Sequence, residues 1–504
     1  MGGLSYNYYF LSIIKGAKTD QFHGFLVSIG YPLIIRMTRK SNDPTMSNVY
    51  TLGFAMSLTL LGIKVAMNFI VPIFGTTGSM CMALIMLSSA FSCFIIPPIL
   101  KWFKNERQCL AWLCIEYGLY MFAYVYFIPS VGYVWSFLHG IVAAVLWAAE
   151  GVYLSANMNE HDKGVKSGIF WGVYMSGTIL GNLAVFFILR FIGLDDSSNV
   201  EGWHGAASIM FIFLGCISLI GAVPMFLLKP SPSEGTRPPL SSTPTMVLMK
   251  RVVKMTVSHD MIWLLMPMFY LGFQYSYLGC MLTRQLHDQS SLGLLMAVYS
   301  FVETVISTSL GSLMDKFGQM FLMNVASLTQ AAGMITVWYA NFTQNFLYYI
   351  SFILLALSDS AYQTLIPAVV GEKFTDQETA NSVFRLFQNM GGCICYLLAS
   401  LFVKEGENVA SSSMYAAELW LNIGLATLSH LSFIVFGHIH KAPVLPKTEL
   451  PVVDDKKVTA VSNEDADAVN RGCISDAEPV NLADAKRSEV DIKTVPTTNE
   501  EFVQ

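Results

Sequence analysis

The sequence predicts an all-α polytopic membrane protein with twelve transmembrane helices in two six-helix halves. Three observations carry this. The chain is 54% hydrophobic and 13% charged, about half the charged share of a soluble domain. Its apolar residues come in uninterrupted runs, long enough to cross a bilayer at about 1.5 Å per residue, rather than at amphipathic spacing. One polar break rich in proline, Lys229 to His259, divides these runs six and six.

Taken in order, residues 1–48 read as an amphipathic or irregular cytoplasmic segment. No signal-peptide pattern is present, and Tyr6 stands where myristoylation requires Ser or Thr. The first half covers 49–228, with spans near 49–74, 76–99, 109–128, 131–155, 168–193 and 207–228. The linker is 229–259. The second half covers 260–437, with spans near 261–285, 290–313, 319–340, 345–370, 381–403 and 415–437. Residues 438–504 turn polar and acidic and read as a disordered cytoplasmic tail. A faint repeat, SGIFWGVYMSG from Ser167 and NSVFRLFQNMGG from Asn381, follows the fourth helix of each half. Such parallel halves fit transporter-type folds.

Lys and Arg set the orientation. Twelve of them, including Lys101, Lys163, Lys166, Lys250 and Lys373, fall in loops on the linker side, against Arg190, Arg284 and Lys404 opposite. That asymmetry places both termini in the cytoplasm. The sequon Asn341-Phe342-Thr343 then lies on the far side, where glycans are added.

The stretch Gly140–Leu183 stands out. Two apolar runs flank a loop with Glu160, His161, Asp162, Lys163 and Lys166. Small residues recur every fourth position: Gly140, Ala144 and Ala148, then Gly168, Gly172 and Ser176. Small-residue stripes let membrane helices approach closely. The expectation is a packed helix pair joined by a charged hairpin, disrupted by leucine at Gly168 or Gly172.

Charged residues inside spans are costly and point to function. These are Lys64, Glu116, Glu150, Glu303, Asp359 and Arg385. Glu150 is a candidate for proton uptake in a transport cycle, or for a hydrogen bond to a neighbouring helix. Asp359 is a candidate to contact a solute or pair with Arg385, and Lys64 to pair with Glu303. Trp147 and Trp171 read as packing or interfacial aromatics.

Gly311-Ser312-Leu313-Met314-Asp315-Lys316-Phe317-Gly318 closes the eighth span. It resembles the GxxxD[RK]xG gating loop of the major facilitator superfamily, carried here by Gly311, Asp315, Lys316 and Gly318. The corresponding loop of the first half, PPILKWFKNERQ from Pro97, lacks the Asp. LWAAEGVYLS, the charged loop, SGIFWG and GNL resemble the signature of the uncoordinated (ion channel regulatory protein) family within that superfamily, with most likeness to the branch of major facilitator superfamily domain-containing protein eleven. Glu150 departs from the Gln usual in that family. The resemblance covers residues 49–437 and implies the major facilitator fold. It also implies a non-transporting regulatory or trafficking partner of channels or receptors, whereas the intramembrane Glu150, Asp359 and Arg385 and the retained gating loop favour a solute carrier of unknown substrate.

Nothing points to an enzyme. There is no phosphate loop, HExxH, CxxC or nucleophile elbow, and nine scattered His offer no metal-ligand spacing beyond His438 and His440 at a helix end. Eight of nine Cys lie in apolar runs and none pair in loops. No cofactor, metal or nucleic-acid partner is expected; the partners are the bilayer and a small solute or another membrane protein.

The topology makes a prediction. Any glycan should disappear in Asn341→Gln, and a membrane-impermeant label on residue 341 should react from outside. Labelling from the cytoplasmic side would break the twelve-span count.

Overall fold

A computed structural model describes residues 44–439, apart from 101, 104, 160–161, 192–199, 233–244, 287–290, 341–344 and 403–411. The N-terminal segment to residue 43, the tail from 440 and the sequon Asn341 lie outside the described residues.

The described residues form helices joined by short turns, with no strand. They are α1 (Pro44–Ser92), α2 (Ile96–Leu100), α3 (Glu106–Phe122), α4 (Pro129–Ala156), α5 (Lys163–Phe191) and α6 (Val200–Phe226). After the linker come α7 (Thr245–Thr256), α8 (His259–Tyr277), α9 (Leu292–Phe317), α10 (Gln319–Ala340), α11 (Asn345–Lys373), α12 (Gln377–Leu401) and α13 (Ser412–Ile439). Eight of these helices are long and apolar enough to cross a membrane by length and composition.

α1 is two helices. Gly75 has φ 57° and ψ −130°, a backbone that side chains disfavour and glycine permits. A straight helix would separate residues 70 and 78 by about 12 Å, yet Gly78 abuts the Ile70 carbonyl. The chain therefore folds back on itself at Gly75, and six long helical segments precede the linker. α8 continues into a π-turn, Leu278–Leu282, and a 3₁₀ turn, Thr283–Gln285. With α9 to α13 it supplies the other six.

The expected packing of the fourth and fifth spans on each other is not what forms. Both α4 and α5 lie against α1. Gly140 meets the Ile85 carbonyl, whereas Gly177 meets the Ser57 carbonyl and Gly181 the side chains of Leu61 and Val65. Gly168 and Gly172 look onto open space. Between α4 and α5 the contact is aromatic: the Trp147 and Trp171 rings stack 6.1 Å apart. Of the glycines in the two small-residue stripes only Gly140 makes the expected close approach; α5 is seated instead by Gly177 and Gly181, which lie outside the repeat. The reversal at Gly75 gives both helices a common neighbour.

One charge of the hairpin region is buried. Lys166 is wholly buried; its Nζ lies 2.6 Å from Asp162 Oδ2 and donates to the Asn157 carbonyl at 3.0 Å and to Thr45 Oγ1. Asn48 donates to Asn157 Oδ1 at 2.8 Å, and Tyr153 donates to the Lys229 carbonyl at 2.7 Å. This clasp ties the start of α1 to the ends of α4 and α6.

One apolar core runs through the first half and continues into the ends of the second half that lie away from the linker. The linker-side ends of the second half form a separate core, around Leu264, Met323, Ile366 and Val383. On the far side the halves touch closely: Gly293 of α9 abuts the Asn182 carbonyl and Phe186 of α5. Nearer the linker side, Asn389 donates to Ser89 at 3.2 Å.

Within the second half the closest backbone approach is reciprocal. Gly272 of α8 lies against the Gln388 carbonyl of α12, and Gly391 of α12 against the Phe269 carbonyl of α8. A methyl group at either would overlap those oxygens. Gly391→Ala should therefore cost about 1–3 kcal/mol through overpacking, whereas Gly168→Leu should stay within about 0.5 kcal/mol. Thermal unfolding of the purified full chain checks both; equal stability for the two variants would refute the packing scheme.

Candidate functional site

Spacing within helices builds the site. Lys64 stands eleven residues before the Gly75 turn and Glu303 eleven residues after the start of α9, so each lies about 16 Å from the far-side end of its helix. Both line a recess between the halves. Asn68 and Tyr174 face it from the first half, Tyr275, Tyr299 and Tyr396 from the second.

Lys64 does not form an ion pair with Glu303. Its Nζ donates to Tyr275 Oη at 3.1 Å and sits 4.7 Å from the centre of that ring. Glu303 acts on it through space. Tyr299, one turn before Glu303 on the same face of α9, donates to Asp359 Oδ2 of α11 at 2.8 Å. Asp359 is wholly buried and Glu303 half-buried, and the two carboxylates feel each other directly. A lysine from the first half thus faces a carboxyl group of the second, with another buried behind it.

A second pair has the opposite arrangement. Glu150 of α4 is 5% exposed and its Oε1 has no hydrogen-bond partner. The charge acting on it is Arg385 of α12, in the other half. Arg385 is exposed along its helix, donates to Gln388 Oε1 at 3.0 Å and lies 5.4 Å from the centre of the Phe384 ring.

The pairing of Asp359 with Arg385 does not form, although their helices are consecutive. Asp359 is fourteen residues from the linker-side end of α11, and Arg385 eight from the start of α12. That puts them at depths of about 21 and 12 Å. Glu150, six residues from the end of α4, lies about 9 Å deep and matches Arg385 instead.

The gating-loop residues stand apart from both pairs. Gly318 ends α9 with φ 82°, its N–H bonded to the Met314 carbonyl at 2.9 Å; glycine is the residue that permits this left-handed stop. Lys316 lies 5.3 Å from the centre of the Phe317 ring. Gly311 looks onto open space, and the Asp315 side chain lies outside the described residues.

Two further charged clusters are structural. Glu116 of α3 accepts from Trp135 at 3.0 Å and lies 2.9 Å from His139 Nδ1, both on α4. Arg284, read from sequence as a loop cation, is buried: it donates to the Ala399 carbonyl at 2.6 Å and forms an ion pair with Glu418 of α13. The π-turn adds a residue to one helical turn and so re-aims the residues after it, turning Arg284 inward. Glu418, a charged residue inside the last span, belongs with the intramembrane charges, but nothing in the sequence near it points to Arg284.

Known proteins bear on this geometry. Residues 72–332 match the family described as ion channel regulatory protein UNC-93, and residues 277–462 match the Major Facilitator Superfamily. UNC93-like protein MFSD11 of Xenopus tropicalis is 25% identical over 321 residues, covering 53% of this chain and 70% of that protein. Protein unc-93 homolog A of Bos taurus is 23% identical over 393 residues, covering 66% and 82%. The crystal structure of nucleoside transporter NupG superposes with a TM-score of 0.57 at 12% identity, covering 78% of this chain and 98% of that one. The fold is that of the major facilitator transporters.

The Glu150–Arg385 relation is testable as a cycle. Arg385→Gln should lower stability by about 1–3 kcal/mol, since it leaves a buried carboxylate without a countercharge. Adding Glu150→Gln should recover most of that loss in thermal unfolding. Strictly additive losses would show that the two do not interact.

Proposed function

The chain belongs to the UNC-93 family of ion channel regulatory proteins, and from that premise we propose that it acts as a solute carrier. It is a multi-pass membrane protein built like the major facilitator transporters. The observation that carries the proposal is Lys64 of one half facing Glu303 of the other across a recess between them, with Asp359 buried behind Tyr299 of its lining.

Ammonium offers three donors, and Tyr275 accepts one. The remaining donors serve an oxygen of a bound solute. One lysine against two carboxylates leaves one negative charge over, which a co-transported proton or cation would balance. Glu150 and Arg385, nearer the linker side, would separate and rejoin as the halves rock about the recess, as in alternating access. Both chain ends lie on the Lys-rich, cytoplasmic side in this reading.

A second reading is favoured by the family description itself: a regulatory subunit of an ion channel. It needs a surface for a partner, not a working recess. Lys64→Gln separates the two. In a carrier, cells expressing Lys64→Gln at wild-type surface abundance should show the solute profile of cells lacking the protein. In a regulator, the variant should keep its co-purifying partner and its effect. An unchanged solute profile on loss of the whole protein would overturn the carrier reading.

A further inference from the structure

α7 carries more apolar surface than the bundle covers. It packs on α12 and on the start of α8, burying only Leu248 and Val252. Met246, Met249, Val253 and Val257, the last just past its end, are 62, 39, 64 and 70% exposed. With 3.6 residues per turn, these four fall within a strip of about 80° on the helix surface. Lys250, Arg251 and Lys254, all exposed, lie in the adjoining strip of about 100°, with Val247, 40% exposed, among them. Around the helix the order is bundle-facing, apolar and exposed, then basic. No ion pair engages the three cations among the described residues.

Water suits the basic strip but not the apolar one. A soluble acidic protein would likewise satisfy only the charges. The leaflet boundary suits both, because a helix with this cross-section sinks its apolar strip to the acyl chains and leaves its cations among headgroups. We propose that α7 is a binding site for anionic phospholipid in the leaflet on the linker side. Lys250, Arg251 and Lys254 engage the phosphate and carboxylate oxygens, while Met249 and Val253 meet the chains. Since α7 rests on α12, the helix that carries Arg385, bound lipid holds the linker-side end of that helix. The proposal is independent of whether the protein transports.

The test uses the full chain purified in a neutral detergent, titrated with phosphatidylserine or phosphatidylcholine, with bound lipid read by native mass spectrometry. Phosphatidylserine should be retained at least tenfold better. Binding should weaken about fivefold for each basic side chain neutralised, so that Lys250→Gln with Arg251→Gln and Lys254→Gln abolishes the preference. Lys250→Arg with Lys254→Arg should keep it, which guards against a folding defect. Met249→Ser with Val253→Ser should weaken both lipids alike. Equal retention of the two lipids by the wild type, or a preference surviving the triple variant, would overturn the proposal. So would displacement of phosphatidylserine by soluble polyglutamate at equal concentration, which would mark the face as a protein contact.

Discussion

A lysine deep inside a membrane protein must be answered by an anion or a strong acceptor, because an uncompensated charge there is costly. Lys64 meets this constraint only when the two halves come together: Tyr275 accepts its hydrogen bond, and Glu303 and Asp359 supply the opposing field. Glu150 meets the same constraint in mirror image, through Arg385. Each half therefore carries charges that only the other can balance. This ties the relative position of the halves to the electrostatics between them, which is the coupling a moving carrier requires.

The rest of the structure holds those charges in register. In lipid, apolar burial gains little between helices, so close backbone approach must do the holding. Gly177 and Gly181 seat α5 on the first arm of α1, Gly140 seats α4 on the second arm, and Gly272 with Gly391 locks α8 to α12. Within this frame the halves share one core on the far side and have separate cores on the linker side. The open space beside Gly168, Gly172, Gly311 and Gly371 belongs to the linker-side ends of these helices. The polar clasp around Lys166 and Asn157 braces the first half there.

Buried polar groups divide by what they span. Arg284 with Glu418, and Glu116 with His139, join helices of one half. Such a pair stays intact if the halves move as bodies. Lys64 with Glu303, and Glu150 with Arg385, cross between halves, so any rocking changes their separation. That distinction, rather than burial alone, selects the candidate site from the ionisable residues within the membrane.

The sequence by itself determined the class: long apolar runs with few charges, the six-and-six division, and the family likeness carried by Gly140–Leu183 are all one-dimensional signals. It also named the charged residues of the site, since a lysine or glutamate in an apolar run is conspicuous without any structure. Their partners were not: the sequence suggested Asp359 for Arg385, and the helix ends that set Asp359 deeper and bring Glu150 nearer the level of Arg385 come from the structure. Tertiary structure alone decided which faces meet. A stripe of small residues does not say which face meets a neighbour: Gly168 and Gly172 meet none, and the contacts of Gly140 and Gly177 with the two arms of α1 waited on the reversal at Gly75. The tyrosines of the recess gave no signal among 22 in the chain, because a phenol suits a lipid interface, a core or a binding site equally well. Arg284 was hidden by a π-turn, a local change of helical register that hydropathy does not encode. Only three-dimensional packing turns such residues toward their partners.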